Sequence, residues 1–193
     1  MKVASFDIVF QEIPGEVTLA LNLSNCPCHC PGCHSPHLAE DIGELLTEEL
    51  MDGLLARYGS MITCVAFMGG DAEPEEVARW ANSIHGVGSQ ESRGKSLKTA
   101  WYSGRNNMPK DEKAFDYVKL GPYIESLGGL KSEKTNQRLY KRVGEEWEDI
   151  TSSFWRKNLS YTVESLKFTT TPAITSRGLL CYGACAAKRK VSS

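Results

Sequence analysis

The sequence predicts an α/β fold: an open, partial (β/α) barrel with mostly parallel strands. Three observations point to it. Apolar runs of strand length recur at residues 2–10, 16–23, 62–68, 97–102, 115–120 and 136–143, and Pro14-Gly15, Gly69-Gly70 and Gly121-Pro122 punctuate them. Two stretches with helical spacing, residues 48–58 and the segment opened by Pro74, lie between strands. Strands separated by helices imply right-handed crossovers and parallel pairing. The chain has 193 residues, fewer than the ~250 of a complete eight-stranded barrel, so the barrel is expected to be incomplete.

Composition narrows the class. Hydrophobic residues make up 41% and charged residues 24%, which is ordinary for a globular chain able to bury a core. A net charge of −2 builds no strong field for nucleic acid or a membrane surface. There is no apolar run of about 18 residues for a membrane span. The first residues, Met1 to Asp7, lack the apolar core of a signal peptide. Seven cysteines without such a signal fit a reducing cytoplasm, where thiols serve metals or catalysis. Their odd number argues against a fully paired disulfide set.

Residues 2–10 and 16–23 read as strands joined by the Pro14-Gly15 turn, with Val3, Phe6, Ile8, Val9 and Phe10 apolar in the first. The second, Val17 to Leu23, feeds directly into a cysteine-rich loop. That loop therefore falls at the carboxyl end of a strand, where active sites collect in α/β folds. Residues 26–46 read as a long loop. His29, His34 and His37 lie in it, and His29 and His37 read as polar loop residues.

Residues 48–58 are expected to be helical. Thr47 suits the N-cap, and Glu48 and Glu49 complement the positive end of the helix dipole. Leu50, Met51, Leu54, Leu55 and Tyr58 form an apolar stripe, and Gly59 suits a left-handed C-terminal position. Residues 62–68 read as a buried strand with Cys64 as a small core residue. The strand ends in Gly69-Gly70-Asp71. Two glycines allow a ligand close to the backbone, and a carboxylate accepts hydrogen bonds from an ammonium group; the same triplet also suits a plain turn.

Pro74 opens the second helix, where its missing N–H does no harm, with Val77, Trp80, Ala81 and Ile84 in helical register. Residues 85–95 are rich in Gly and Ser and read as loop. The strand at 97–102 ends at Ser103-Gly104-Arg105. Residues 106–113 are polar, a loop or a degenerate helix. The strand at 115–120 is stopped by Gly121-Pro122, residues 124–134 read as loop, and a short strand follows at 136–143. Gly144, Glu145 and Glu146 look like a turn before Trp147.

The chemistry concentrates at residues 26–33, which hold four of the seven cysteines. Cys26, Cys30 and Cys33 stand in the spacing C-x3-C-x2-C. Three thiolates on one loop can ligate three irons of a [4Fe–4S] cluster and leave the fourth open to an outside molecule, unlike electron-transfer clusters closed by a fourth cysteine. Zinc also takes thiolates, but its structural sites usually pair two separated C-x2-C units or add distant histidines. A disulfide is a third reading, although neighbours this close pair badly. Cys28 stays open between a free thiol and a functional one, because it cannot join the spacing without displacing a neighbour.

Taken together, the chain resembles the radical S-adenosylmethionine superfamily, and within it the activating proteins of anaerobic ribonucleoside-triphosphate reductase. The carrying residues are Cys26, Cys30 and Cys33 in the Cys-Pro-Gly-Cys form, Gly69-Gly70-Asp71, the stretch Asp116 to Tyr123, and Thr135 to Arg138. The resemblance covers about residues 1–157 and implies a radical S-adenosylmethionine type of fold. It implies an oxidoreductase whose cofactors are a [4Fe–4S] cluster on Cys26, Cys30 and Cys33 and S-adenosyl-L-methionine. Gly69, Gly70, Asp71, Ser103 and Asn136 are the expected cofactor contacts, although capping residues at turns would look the same at the last two. One-electron cleavage of the sulfonium gives a 5′-deoxyadenosyl radical, which takes a hydrogen from a glycine in the C-terminal region of the reductase. No side-chain acid or base is needed. The implied partners are that reductase and a one-electron donor such as flavodoxin or ferredoxin. Two departures stand out. Gly32 replaces an aromatic residue common before the third cysteine, and Gly-Gly-Asp replaces a common Gly-Gly-Glu. Another radical enzyme, acting on a different peptide or a metabolite, and a non-catalytic zinc-binding module are the rival readings.

Residues 158–193 fall outside the resemblance and are expected to be a linker-like extension. Cys181 and Cys185, with Gly183 between them, read as a disordered tail, a redox or metal-binding pair, or a segment that docks near the cluster.

Overall fold

Leu19, Leu21 and Leu23 alternate with Thr18, Ala20 and Asn22 along one strand, and that alternation sets the two faces of the sheet. A computed structural model of the chain describes residues 1–88 and 96–155, which fall in one compact unit, Met1–Arg156. The expected extension, with Cys181, Gly183 and Cys185, lies outside the described residues, as does most of the expected 85–95 loop.

The strands are β1 (Lys2–Val9), β2 (Thr18–Leu23), β3 (Glu44–Leu45), β4 (Cys64–Met68), β5 (Lys98–Tyr102), β6 (Tyr117–Leu120), β7 (Arg138–Val143) and β8 (Glu146–Asp149). The helices are α1 (Glu48–Tyr58) and α2 (Pro74–Gly88). All the strands join one sheet in the order β3-β1-β2-β4-β5-β6-β7-β8, open at β3 and β8. The four central strands β2, β4, β5 and β6 run parallel. Both flanks are antiparallel, against the expectation of mostly parallel strands. For β1–β2 and β7–β8 the cause is local: Gly15 and Gly144 take φ of 81° and 66° in the short connections, which return a chain beside itself, whereas a parallel partner needs a crossover.

One face of the sheet carries Leu19, Leu21, Leu23, Val65, Phe67, Trp101, Val118 and Leu120. They pack against Met51, Leu54 and Leu55 of α1 and Val77, Trp80, Ala81 and Ile84 of α2. The opposite face is smaller in volume. Ala20, Ala66 and Ala100 lie side by side across β2, β4 and β5, and Ile13 with Tyr117 and Leu139 helps close that face over Cys64 and Ala66. Cys64 is fully buried, the core residue its strand context predicts.

Several elements differ from expectation. Gly59 ends α1 in a right-handed conformation, φ −58°, because the chain makes one more turn into Met61 and Ile62, whose N–H groups bond to the Tyr58 carbonyl. Helix α2 continues through residues 85–88, which composition assigned to loop. The 26–46 stretch contains a short 3₁₀ turn, Pro36–Ala39, and β3. The expected turn falls on Gly144 and Glu145, while Glu146 belongs to an edge strand, Glu146–Asp149, that the sequence does not announce; its charge suits an edge exposed to water and masks the strand pattern. No helix among the described residues is long and apolar enough to cross a membrane.

The amino ends of the parallel strands are clasped by Glu16, whose side chain is 8% exposed. Its Oε1 accepts bonds from Lys98 Nζ at 2.5 Å and Tyr117 Oη at 2.8 Å, and its Oε2 accepts one from Thr63 Oγ1 at 2.5 Å. Burial opposes ionisation of Glu16, but these donors and the Lys98 charge outweigh it and hold the carboxyl below its ordinary range.

Candidate functional site

At the other end, β2 runs into the cysteine loop, β4 into Gly69-Gly70-Asp71, β5 into Ser103-Gly104-Arg105 and β6 into Gly121-Pro122. The parallel register therefore delivers these segments to one edge of the sheet.

The cysteine loop is closed at its base. Ser24 Oγ donates to the Ile42 carbonyl at 2.7 Å, and the Cys26 N–H bonds the Leu38 carbonyl at 2.9 Å. Cys30 to Cys33 form a tight turn, with the Cys33 N–H 3.1 Å from the Cys30 carbonyl oxygen and Gly32 at φ 73°. A type II turn requires positive φ at its third residue and favours proline at its second, which accounts for Gly32 at a place where the resemblance leads one to expect an aromatic ring. A Cβ there would also lie 3.1 Å from the Glu125 carboxyl carbon. The Ser35 N–H points at Cys33 Sγ, 3.4 Å away. Cys26, Cys28, Cys30 and Cys33 are all free and partly exposed. Soft thiols on one loop, none consumed in a disulfide, fit an iron–sulfur cluster or zinc as a donor set.

Asp71 stands beneath this loop and is 1% exposed. Its Oδ1 accepts the Ser103 hydroxyl at 2.5 Å, its Oδ2 accepts the Gly104 N–H at 2.9 Å, and Arg105 Nε lies 3.8 Å from Oδ1. The Cys28 thiol donates to Oδ2 at 3.7 Å. Gly104 makes the room: a Cβ on it would sit 2.4 Å from Cys28 Sγ. Burial first, then the Asp71 carboxylate, push the Cys28 thiol up to about 12.

Gly69 and Gly70 have φ of 98° and 80°, and the space a Gly70 side chain would need is taken by Val77 Cγ2 at 2.6 Å and Leu23 Cδ1 at 2.8 Å. The Gly69 carbonyl accepts the Trp101 indole N–H at 2.7 Å. Both glycines are thus required by packing and by the turn that carries Asp71 inward.

Lys119 is a group the sequence reading passed over. It is 8% exposed, and its Nζ donates to the carbonyls of Gly121 at 2.7 Å and Ser103 at 3.3 Å. Burial pulls its ammonium down to about 8, against Asp71 and the thiols of Cys30, Cys28 and Cys33, which favour the charge. The sequence signal was a lone lysine inside an apolar strand just before Gly-Pro. Asn136 lies farther along the same edge, its Nδ2 donating to the Pro122 carbonyl at 2.9 Å. Gln137 Nε2 is 3.4 Å from the Gly121 carbonyl that Lys119 also uses. The structure thus brings Cys26, Cys28, Asp71 and Ser103 together, sets Cys30 and Cys33 on the adjoining turn, and leaves Asn136 bonded to a neighbouring loop.

No protein-family model matches the sequence, and neither a curated protein nor a solved structure matches it.

Proposed function

We propose that the chain is a radical S-adenosylmethionine enzyme that activates the anaerobic ribonucleoside-triphosphate reductase by generating a glycyl radical on it. The observation that supports this most is the placement of the cysteine loop and of Gly69-Gly70-Asp71 at the carboxyl ends of adjacent parallel strands, which sets Cys28 Sγ 3.7 Å from the buried Asp71 carboxylate. The open sheet is read as a partial barrel, and a reducing cytoplasm is the compartment that suits free thiols.

Cys26, Cys30 and Cys33 would hold a [4Fe–4S] cluster. With S-adenosylmethionine bound, that pair of cofactors would supply one-electron reductive cleavage chemistry, directed at a hydrogen atom of the reductase's glycine. This chain's residues orient and shield. Gly69 and Gly70 set the turn that presents Asp71. Ser103 and the Gly104 N–H fix its carboxylate, so that an incoming ammonium group finds a preorganised acceptor. Lys119 supplies a positive charge beneath the thiolates. Asn136 marks the next loop along the edge, where cofactor or partner would be met. The docked reductase keeps water and stray hydrogen donors away from the radical, and a flavodoxin- or ferredoxin-like donor supplies the electron.

The test is anaerobic reconstitution with iron and sulfide, followed by EPR of the reduced protein with and without S-adenosylmethionine, then mixing with the reductase. Expected are close to four irons per chain, a cluster signal perturbed by the cofactor, and a glycyl radical on the reductase. Reconstituted protein that binds no iron, or that leaves the cofactor uncleaved under a strong reductant, sinks the proposal.

A further inference from the structure

We propose a second metal site on the same edge, built from Cys26 Sγ, Cys28 Sγ and Asp71 Oδ2, that takes a borderline-soft divalent cation such as zinc and competes with the cluster for Cys26. The two sulfurs and a carboxylate oxygen of Asp71 lie within 4.8 Å of one another. A tetrahedral zinc with Zn–S of about 2.3 Å and Zn–O of about 2.0 Å sets sulfur and oxygen roughly 3.5 Å apart and two sulfurs roughly 3.8 Å apart. Cys28 Sγ and Asp71 Oδ2 are 3.7 Å apart, so small side-chain rotations complete the geometry.

The site is built, not merely crowded. Asp71 is 1% exposed and is held by the Ser103 hydroxyl and the Gly104 N–H, the kind of support that fixes a ligating carboxylate. Cys28 Sγ fills the slot left by the missing Gly104 side chain, where a Cβ would approach to 2.4 Å. Arg105, 3.8 Å from Asp71 Oδ1, offsets part of the negative charge of two thiolates and a carboxylate. Thiolates with one carboxylate select zinc, or cobalt as its spectroscopic substitute, over hard cations, and the fourth position stays open to water. The thiols must lose their protons as the cation enters. The ligand set rests on these contacts alone, and only its competition with a cluster rests on the activating-enzyme reading. Because the two ligand sets share Cys26, either metal excludes the other.

The test uses iron-free, full-length protein under anaerobic conditions, with Cys181→Ser and Cys185→Ser in every version so that the tail offers no thiols. Titration with Co²⁺ should reach one equivalent with thiolate-to-cobalt charge-transfer absorption, and Zn²⁺ should bleach it. Adding Cys28→Ser should lower the affinity at least ~10-fold and reduce the charge-transfer intensity by about half, as one of two thiolates is lost. Asp71→Asn should lower the affinity while keeping the charge-transfer bands. Cys30→Ser with Cys33→Ser should leave both unchanged. Far-ultraviolet circular dichroism checks that each variant folds. Cobalt binding that survives Cys28→Ser intact, or that disappears with Cys30→Ser and Cys33→Ser, overturns the proposal. Separately, iron and sulfide uptake by the Cys28→Ser protein reports on the cluster alone, so the two readings fail independently.

Discussion

The four parallel strands carry a buried carboxylate at each end, and the two are not alike. At the amino ends Glu16 is enclosed by Lys98, Tyr117 and Thr63, all of which donate to it. At the carboxyl ends Asp71 receives, among the described residues, one hydroxyl and one N–H at short range, with the Arg105 guanidinium at 3.8 Å, half exposed. The remaining neighbour is a thiol. Burial of an acid therefore does not by itself mark a functional centre. What distinguishes the Asp71 end is that metal-seeking groups converge there, while the Glu16 end is internally satisfied.

Removing one of the proposed cluster ligands should separate the ends most sharply. Cys30 sits on a partly exposed turn, so Cys30→Ala should abolish iron uptake and radical formation while changing the apoprotein's stability by less than ~1 kcal/mol, as surface-level changes do. Urea denaturation of the iron-free forms, read beside iron analysis, checks both. A variant that unfolds instead would make the turn a structural element and erase the contrast.

At the opposite end the effect should be on stability alone. Glu16→Ala strands the Tyr117 hydroxyl and Lys98 and should cost about 2 kcal/mol, within the range for orphaning buried partners, with iron uptake retained. The pH dependence follows from the sign of the shifts. The folded Glu16 carboxyl lies below its ordinary 4.5, so its stabilisation is present above that value and is lost as pH falls through the folded one. Lys98 lies above its ordinary 10.5, so its share is present below 10.5 and is lost as pH rises beyond the folded value. Denaturation midpoints between about pH 5 and 3 should fall less steeply for Glu16→Gln than for the parent. Equal slopes would show that the clasp does not couple to protons.

What could be read in advance follows the range of the interaction. Helix Glu48–Tyr58 was legible because Thr47, Glu48 and the apolar stripe act within one or two turns, and Thr47 Oγ1 does accept the Leu50 N–H. The cysteine turn and Gly69-Gly70-Asp71 were legible as strand ends for the same reason. The Glu16 clasp was not, because its partners are 47, 82 and 101 residues away in sequence. Lys119 was hidden because a strand lysine ordinarily faces water, whereas this one is buried with its Nζ on the carbonyls of Gly121 and Ser103. Cys28 was left open because spacing alone says nothing of Asp71, 43 residues on. The glycines of Gly69-Gly70 pointed to a ligand, whereas Leu23 and Val77 account for the second of them.

The finest comparison lies between two glycines on the site's own edge. Gly70 has φ 80° and would drive a Cβ into Val77 and Leu23, so Gly70→Ala should cost about 2 kcal/mol or more through left-handed strain and overpacking. Gly104 meets Cys28 Sγ most closely, with Cys28 Cβ at 3.2 Å and Asp71 Oδ2 at 3.6 Å, and the thiol can rotate away while the other two contacts need little or no shift. Gly104→Ala should therefore change stability by less than ~1 kcal/mol and yet displace the thiol from its slot beside Asp71. Cobalt titration of the iron-free protein should then show weaker binding with the fold intact. A Gly104→Ala protein that loses stability as Gly70→Ala does would mean that Cys28 is packed as rigidly as the core, and that its place beside Asp71 serves the fold and not a ligand.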